Sequence, residues 1–493
     1  MRQRRAVVVG AGLGGLAAAA HLVERDFDVV VVERDATPGG RAGRLELGAY
    51  TFDTGPTVIT MPDILRRTFA AVDVELDKVV DLVALDPVYR ATFADGSALR
   101  VRSGVEPMRE EIRTTIGNRE ADAFVRFANW LRALYAVEMP NFIDRNYDSA
   151  LDLTRPIGPA LALLRLSAFR RLQPQVASYF ADDRLRRVFS FQSLYAGLAP
   201  YQALALYGVI TYMDSIEGVF FPRGGVHEIA HALAGAIEKA GAELRFGDGV
   251  ERIELLRPDG GPVCGVRLQS GDVIPAEVVV CNADIPAAYE HLLPGLEPPR
   301  RVRRAHFAPS AFVWHAGVRG VPAPEFAHHN IHFTEPWNDA FRALMRDGRR
   351  MPDPSILVTV ATRTDPSLAP ANSSTLFALE PVPNLTAGID WRREAGRARD
   401  DLARRVAALG YPDAVEVEAA YDPETWRALG LSQGTPFAMS HRFRQSGPFR
   451  VANQDERAPG LFFVGAGTVP GVGVPMVLIS GRLAAERVAE YMQ

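Results

Sequence analysis

Residues 4–43 read RRAVVVGAGLGGLAAAAHLVERDFDVVVVERDATPGGRAG, a succession that leaves little freedom in what this part of the chain can fold into. Residues 6–9 are an apolar, β-branched run suited to a buried strand; residues 13–24 suit a helix, and residues 29–33 a second strand. The turn between the first two fits G-x-G-x-x-G. Gly10 permits the tight bend, Gly12 lets backbone approach a pyrophosphate, and Gly15 lets the helix close on the strand. Such a helix presents unpaired amides and the positive end of its dipole to phosphate oxygens. Glu33 ends the second strand, where a carboxylate can accept from both hydroxyls of a ribose. Together these features predict a dinucleotide-binding βαβ unit.

Pro38-Gly39-Gly40-Arg41 follows the second strand and, standing alone, is an ordinary turn with a solvated arginine. The far end of the chain changes that reading. An apolar run at residues 461–464 leads into Gly465-Ala466-Gly467-Thr468-Val469-Pro470-Gly471-Val472-Gly473-Val474-Pro475-Met476, and a helix continues to Tyr491. Pro475 suits a first helical turn, where a missing amide proton costs little. A helix start beside a flavin stabilises the negative charge gathered on reduction, which a nicotinamide does not need. Two glycine-rich turns at opposite ends of the chain therefore predict a grip on one FAD.

These features resemble flavoproteins of the amine oxidase and phytoene desaturase type, in which the arginine after the Gly-Gly pair lies near the diphosphate and flavin. GGRAG followed by FDTGPTVITMPDIL narrows this: it is similar to the bacterial-type (isomerising) phytoene desaturases, FAD enzymes that introduce conjugated double bonds into a long isoprenoid hydrocarbon. QSLYAG at 192–197, GVFFPRGG at 218–225, the pair His328-His329 and TDPSLAP at 364–370 also look like this family. The resemblance spans nearly the whole chain and is weakest over residues 73–179. It implies FAD contacts at Gly10, Ala11, Gly12, Leu13, Gly14 and Gly15, then at Glu33, Arg34, Gly40 and Arg41. It further implies contacts at Pro56, Thr57 and Val58, at Val250 beside the adenine, and along Gly465, Gly467, Thr468, Gly473, Val474, Pro475 and Met476.

The implied fold is α/β: a Rossmann-like FAD-binding domain of the amine oxidase and glutathione reductase kind, a mixed-sheet substrate domain, and a helical, membrane-associated subdomain. The expected division is 1–70, 218–295 and 455–493 for FAD, 71–105 and 296–454 for substrate, and 106–217 for the helices. In that helical block residues 120–135 place Phe124, Phe127, Leu131 and Leu134 on one stripe. Residues 156–173 read as a helix with Ile157, Leu161, Leu164, Ala168 and Leu172 on one side and Arg165, Arg170 and Arg171 as charge for lipid phosphates. Taken alone, a packed helix is the plainer reading of that stretch.

A net charge of -4 argues against nucleic acid as a partner. Cys264 and Cys281 sit in separate strand-like runs without metal-ligand spacing, and are read as core thiols of a reduced, cytoplasmic protein. Adjacent His328 and His329 point to opposite faces of a strand, so no metal is assigned. Arg4-Arg5 and the apolar run after them could be taken for a signal, but the run is too short to span a bilayer and its glycines serve the dinucleotide turn. A peripheral membrane contact is expected instead, because a phytoene-like substrate is confined to the bilayer and must be loaded at a membrane surface.

With flavin supplying the redox chemistry, protein must position substrate, keep the cavity dry and accept a proton. Asp144, Arg145 and Asp152 are acid–base candidates by position, with surface solvation the plainer role for each. Oxygen or a membrane quinone is the expected electron acceptor. The competing readings are a desaturase acting on a C30 or later-pathway carotenoid, an amine oxidase, and a non-enzymatic prenyl-chain escort.

Overall fold

The computed structural model describes residues 4–493; residues 1–3 of the expected segment 1–70 lie outside the described residues. A five-stranded parallel sheet is built from distant parts of the chain, in the order Leu461–Phe463, Val278–Cys281, Arg5–Val9, Asp28–Glu33, Glu243–Phe246. Ala6 pairs with both Val29 and Val278, so the first strand is central and covered on both faces. Its uninterrupted valines follow from that burial, since a strand with no solvent face has no reason to alternate.

The first helix, Leu13–Val23, packs on this sheet with Ala17, Ala18, Ala19 and Ala20 fully enclosed. Small residues are needed because the last helix, Val474–Tyr491, lies directly against it. A Cβ added at Gly481 would stand 2.6 Å from the Ala18 amide nitrogen and 2.8 Å from the Gly14 carbonyl oxygen. Contact between the first and last helices thus holds the two ends of the chain together.

A seven-stranded mixed sheet forms the second layer, in the order Ala414–Tyr421, Ser310–Arg319, Ser373–Val382, Ile356–Thr359, His329–His332, Tyr89–Thr92, Ala98–Val101. The edge strand Ala414–Tyr421 and the helix Trp337–Met345 have no counterpart in the sequence reading. The short strand Leu82–Ala84 lies outside this sheet and pairs with Phe220–Pro222. The helical block is centred on Asn118–Glu138, where Phe124, Phe127, Leu131 and Leu134 are fully buried. Phe127 meets Phe180 and Phe189 with ring centroids 5.1 and 5.2 Å apart.

Two expectations are corrected. The helix expected over 156–173 runs only from Ile157 to Arg165; the chain turns at Ser167, with φ of 58°, and resumes as the helix Leu172–Ala177. Ala168 and Leu172 are drawn into the core at 0% and 1% exposure, and the Leu166 carbonyl accepts from the Trp130 indole. The proposed stripe therefore divides, leaving Ile157, Leu161 and Leu164 exposed at 65%, 43% and 60%. Of the two cysteines only Cys281 is a core thiol, its pKa pushed up to about 12 by burial. Cys264 is exposed, on a strand with one face open to solvent.

No described helix is long and apolar enough to cross a membrane.

Candidate functional site

One cavity of about 1080 Å³ runs from the glycine turns through the middle of the molecule to the short helix Ile157–Arg165. That exceeds the roughly 300–1,000 Å³ of an ordinary ligand pocket and leaves room for a cofactor and an elongated partner together.

Its first half is a cradle of backbone. Gly10, with φ of 97°, makes the bend that an L side chain resists. A Cβ on Gly15 would lie 2.1 Å from the Gly10 carbonyl oxygen, so only glycine lets the first helix sit this close to its strand. Glu33 lines the cavity and accepts from the Ala11 and Asp35 amides at 2.6 and 3.0 Å. Burial raises its pKa, and those two backbone donors oppose the rise.

The second glycine turn closes the cradle from the other side. Asn282 sits between the two turns: added Cβ atoms on Gly14 and Gly465 would each meet its Oδ1 at 2.9 Å. Arg450, 2% exposed, donates to the carbonyls of Ala466 and Thr468 and so shapes the turn from beneath. Burial lowers its pKa to about 10, which leaves it charged at neutral pH. His441 accepts from the Val472 amide through Nε2 at 3.3 Å, and burial keeps the ring neutral for that task by pushing its pKa well down. The last helix then opens at Gly473, with Val474, Pro475 and Met476 on the cavity wall.

Most residues expected from sequence meet here. Gly10, Gly12, Leu13, Gly14, Glu33 and Arg34 line the cavity, as do Gly40, Arg41, Pro56, Thr57, Val58 and Val250. So do Gly465, Gly467, Gly473, Val474, Pro475 and Met476. Ala11, Gly15 and Thr468 stand behind the wall: Ala11 holds Glu33, Gly15 admits the helix, and Thr468 donates to the Val451 carbonyl at 2.8 Å. Asn282, Arg450 and His441 carry no motif of their own, because each acts on segments that meet it only in the fold. The one signal for Asn282 was its place directly after a buried strand.

The acid–base expectation is redirected by the structure, which brings none of Asp144, Arg145 and Asp152 to the cavity. Asp144 is held by Arg482 and, at 3.5 Å, by Arg67. Arg145 lies over the Tyr147 ring at 5.2 Å. Asp152 accepts from the amides of Asp148 and Ser149 at 2.8 and 2.9 Å, and these bonds hold its pKa below the ordinary carboxylate value. Besides Glu33, the acids Asp35, Glu138, Asp214, Glu251 and Asp284 line the cavity; Asp35 and Glu251 are exposed and Asp284 pairs with Arg41 at 3.6 Å, whereas Glu138 and Asp214 are buried with no ion pair among the described residues. His329, which opens the strand His329–His332, bonds to Thr359, and His328, just before that strand, bonds to Thr364. Among the described residues no cluster could hold a metal ion.

The second half of the cavity is greasy. Phe142, Leu163, Val209, Ile210 and Met213 contribute from the helical block, and Val313, Leu357 and Phe377 from the large sheet. Phe169 and Phe443 form the rim, ring centroids 6.3 Å apart and each partly exposed.

Comparison with known proteins agrees with this geometry. Residues 13–489 match the family described as flavin containing amine oxidoreductase. A phytoene dehydrogenase of Streptomyces griseus is 45% identical over 98% of this chain and 94% of its own. A zeta-carotene-forming phytoene desaturase of Myxococcus xanthus is 38% identical over 99% of this chain and 94% of its own. Among solved structures, an oxidoreductase from Methanosarcina mazei aligns with a TM-score of 0.65 at 17% identity, covering 99% of this chain and 100% of its own. A putrescine oxidase aligns at 0.61 and 15% identity, covering 99% of each chain; both likenesses speak for the fold alone. Glycine cradles that added side chains would fill, with a buried acid placed for a ribose, fit a flavin dinucleotide, and the cofactor is FAD. The chain belongs to the flavin-containing amine oxidoreductase family and is an FAD-dependent oxidoreductase.

Proposed function

We propose that this protein desaturates phytoene or a close isoprenoid relative stepwise to conjugated, lycopene-like carotenes, in carotenoid biosynthesis. The observation that carries the reading is the continuity of the FAD cradle with an apolar cavity that ends at an exposed apolar rim. Relatives named as phytoene dehydrogenase and phytoene desaturase, similar over almost the whole chain, support it.

FAD, when bound, supplies the acceptor for a hydride. The chain's own residues do the rest. Backbone at Gly12 and Gly14 makes room for the diphosphate, Glu33 takes the ribose hydroxyls, and the start of the last helix offers a positive dipole end to charge that develops on reduction. A hydrocarbon offers no hydrogen bonds, so shape and buried area select it, at about 25 cal/mol per Å². Walls such as Leu357, Phe377 and Ile210 also keep water from the reacting carbons.

Loading from a membrane is part of the proposal. Phe169 and Phe443 on the cavity wall are exposed, as are Leu151, Ile157, Leu161 and Leu164, whose chain neighbours Leu153, Ala160 and Leu163 line the cavity. Arg155, Arg165, Arg170, Arg171, Arg442 and Arg444, interspersed with them along the chain, are also exposed. Apolar side chains fringed by arginine suit insertion into an anionic bilayer surface, with the tunnel mouth facing the lipid. Oxygen or a membrane quinone would reoxidise the flavin.

Anaerobic incubation of the FAD-loaded protein with phytoene in liposomes, followed by chromatography of the pigments, tests the reading. Loss of phytoene with appearance of conjugated carotenes is expected. Unchanged phytoene, with FAD shown to be bound, would contradict it.

A further inference from the structure

Dehydrogenation removes a hydride from one carbon and a proton from its neighbour, and the proton needs an acceptor inside an apolar cavity. Asp144, Arg145 and Asp152 lie outside that cavity, whereas two of the acids on its wall, Asp214 and Glu138, are buried and form no ion pair among the described residues.

Asp214 lies in the widened turn Tyr212–Ile216, 8% exposed, and the Ser215 hydroxyl donates to its Oδ1 at 2.6 Å. Among the described residues only burial and hydrogen bonds from Ser215 and Gln192 act on its charge, with no Lys, Arg or His paired to it. Tyr195 and Gln192 face it from the turn Phe191–Ala196, and Tyr89 faces it from the large sheet, with His329 behind at 6.5 Å between ring centroids. His329 bonds Thr359 at 2.9 Å, and Thr359 meets Thr57, on the FAD side, at 3.1 Å. Met213, the preceding residue, belongs to the core cluster of Ile59 and Met61, against which Val474 and Met476 pack. The acid therefore sits where the cofactor half of the cavity meets the hydrocarbon half.

Glu138, from the end of the long helix, is the other buried acid on the wall without an ion pair among the described residues, 4% exposed. Its Oε1 is enclosed and has no hydrogen-bond partner among the described residues.

Resting on the desaturase reading above, we propose that the Asp214 carboxylate is the base that takes the proton from the substrate carbon as the neighbouring carbon gives its hydride to the flavin. One C–H bond breaks with its electron pair passing to the flavin, which is reduced by two electrons. The adjacent C–H bond breaks with its proton passing to an Asp214 oxygen, and the electron pair left behind closes the new C=C bond.

The surroundings select this acid over the other. Burial raises the Asp214 pKa, and the hydrogen bonds from Ser215 and Gln192 hold the rise to about 7, so a useful fraction is ionised at neutral pH. Burial of Glu138 is opposed by no such bond, and its pKa lies well above the carboxylate range. Burial likewise keeps the phenols of Tyr89 and Tyr195 neutral and pushes His329 down to about 4. Of the groups facing that part of the cavity, Asp214 is the one that changes charge near neutrality.

The test uses FAD-loaded wild type, Asp214→Asn, Asp214→Glu and Glu138→Gln, with phytoene in phosphatidylglycerol–phosphatidylcholine liposomes under anaerobic conditions. Flavin bleaching in wild type is expected to rise through an apparent pKa of about 7. Asp214→Asn is expected to bleach at least about 100-fold more slowly and without that limb, while retaining FAD and bound phytoene. Infrared spectra of the oxidised protein without substrate give an independent readout: a carboxylic-acid band lost near pH 7 in wild type and missing from Asp214→Asn. If Asp214→Asn loses FAD, Asp214→Glu carries the pH readout and is expected to move the limb. A limb unchanged in either Asp214 variant, or abolished in Glu138→Gln alone, overturns the assignment. Wild type that never bleaches with phytoene overturns the desaturase reading and this proposal together.

Discussion

Substituting Gly481 by alanine probes the contact on which the FAD cradle depends. The added methyl would stand 2.6 Å from the Ala18 nitrogen, 2.7 Å from the Ala17 Cβ and 2.8 Å from the Gly14 carbonyl oxygen. Two of the three are backbone atoms of the first helix, so no rotamer change relieves them. Restoring ordinary contact, at about 3.5 Å, requires the two helices to part by roughly 0.8 Å. Overpacking of this kind costs about 1–3 kcal/mol, and the backbone partners place it at the upper end; the gain in helix propensity returns about 1 kcal/mol. A net cost near 2 kcal/mol remains. The FAD-free protein can relieve it by letting the last helix move, whereas the loaded protein needs Gly14 and Gly465 together, so close that a Cβ on Gly14 would stand 3.2 Å from the Gly465 backbone. The cost therefore falls largely on cofactor affinity, about 30-fold at 1.4 kcal/mol per decade. Titration of the stripped protein with FAD, followed by flavin fluorescence, reads it directly. Gly235→Ala is the control, a helical glycine with nothing within 4 Å of an added Cβ, expected to leave FAD affinity unchanged. Gly481→Ala binding FAD within twofold of wild type would refute the claim that the two chain ends must meet this closely.

Glu33→Gln is expected to weaken FAD binding by about 1.5–3 kcal/mol, the range for hydrogen bonds to a charged group. The raised pKa of Glu33 means that wild-type FAD affinity falls as pH drops through it, and that this dependence vanishes in the variant; titrations at several pH values check both. Replacing Ile157, Leu161 and Leu164 together by serine is expected to lower partition onto anionic liposomes at least about 30-fold, each leucine-sized side chain being worth up to about 1.5–3 kcal/mol when buried. FAD content should be unchanged, and cosedimentation measures the loss. Asp214 also sets a pH dependence of stability. Its folded pKa lies above the ordinary value, so the stabilisation is complete below about pH 4 and is lost as pH rises to about 7. Thermal midpoints of Asp214→Asn should fall less over that interval than those of wild type.

The parts of the site legible in the sequence were those whose physics is local. Gly10 and Gly15 are dictated by one turn, Glu33 by the end of one strand, and the valines of the first strand by burial on both faces. Arg450 and His441 were not legible because their partners, the 466–472 carbonyls and amides, acquire meaning only once the chain has folded back. The helix over 156–173 read as continuous because its apolar spacing is regular; Ser167 turns the chain so that Ala168 and Leu172 serve the core while Ile157 and Leu164 do not. Asp144 and Asp214 illustrate the same limit in the acids. Each is a carboxylate in a helical stretch, and only tertiary packing gives one an arginine and the other a cavity wall. The strand Ala414–Tyr421 is not legible because it is an edge with no buried residue and two glutamates.

The central claim is that electrons leaving a hydrocarbon pass to a flavin held between the two ends of the chain. A single-turnover count tests it most directly: FAD-replete protein mixed anaerobically with phytoene in liposomes, reduced flavin measured by absorbance and new double bonds by chromatography of the quenched carotenes. The account predicts one flavin reduced for each double bond formed. Double bonds formed while the flavin stays oxidised, or a flavin that phytoene cannot bleach, would contradict it.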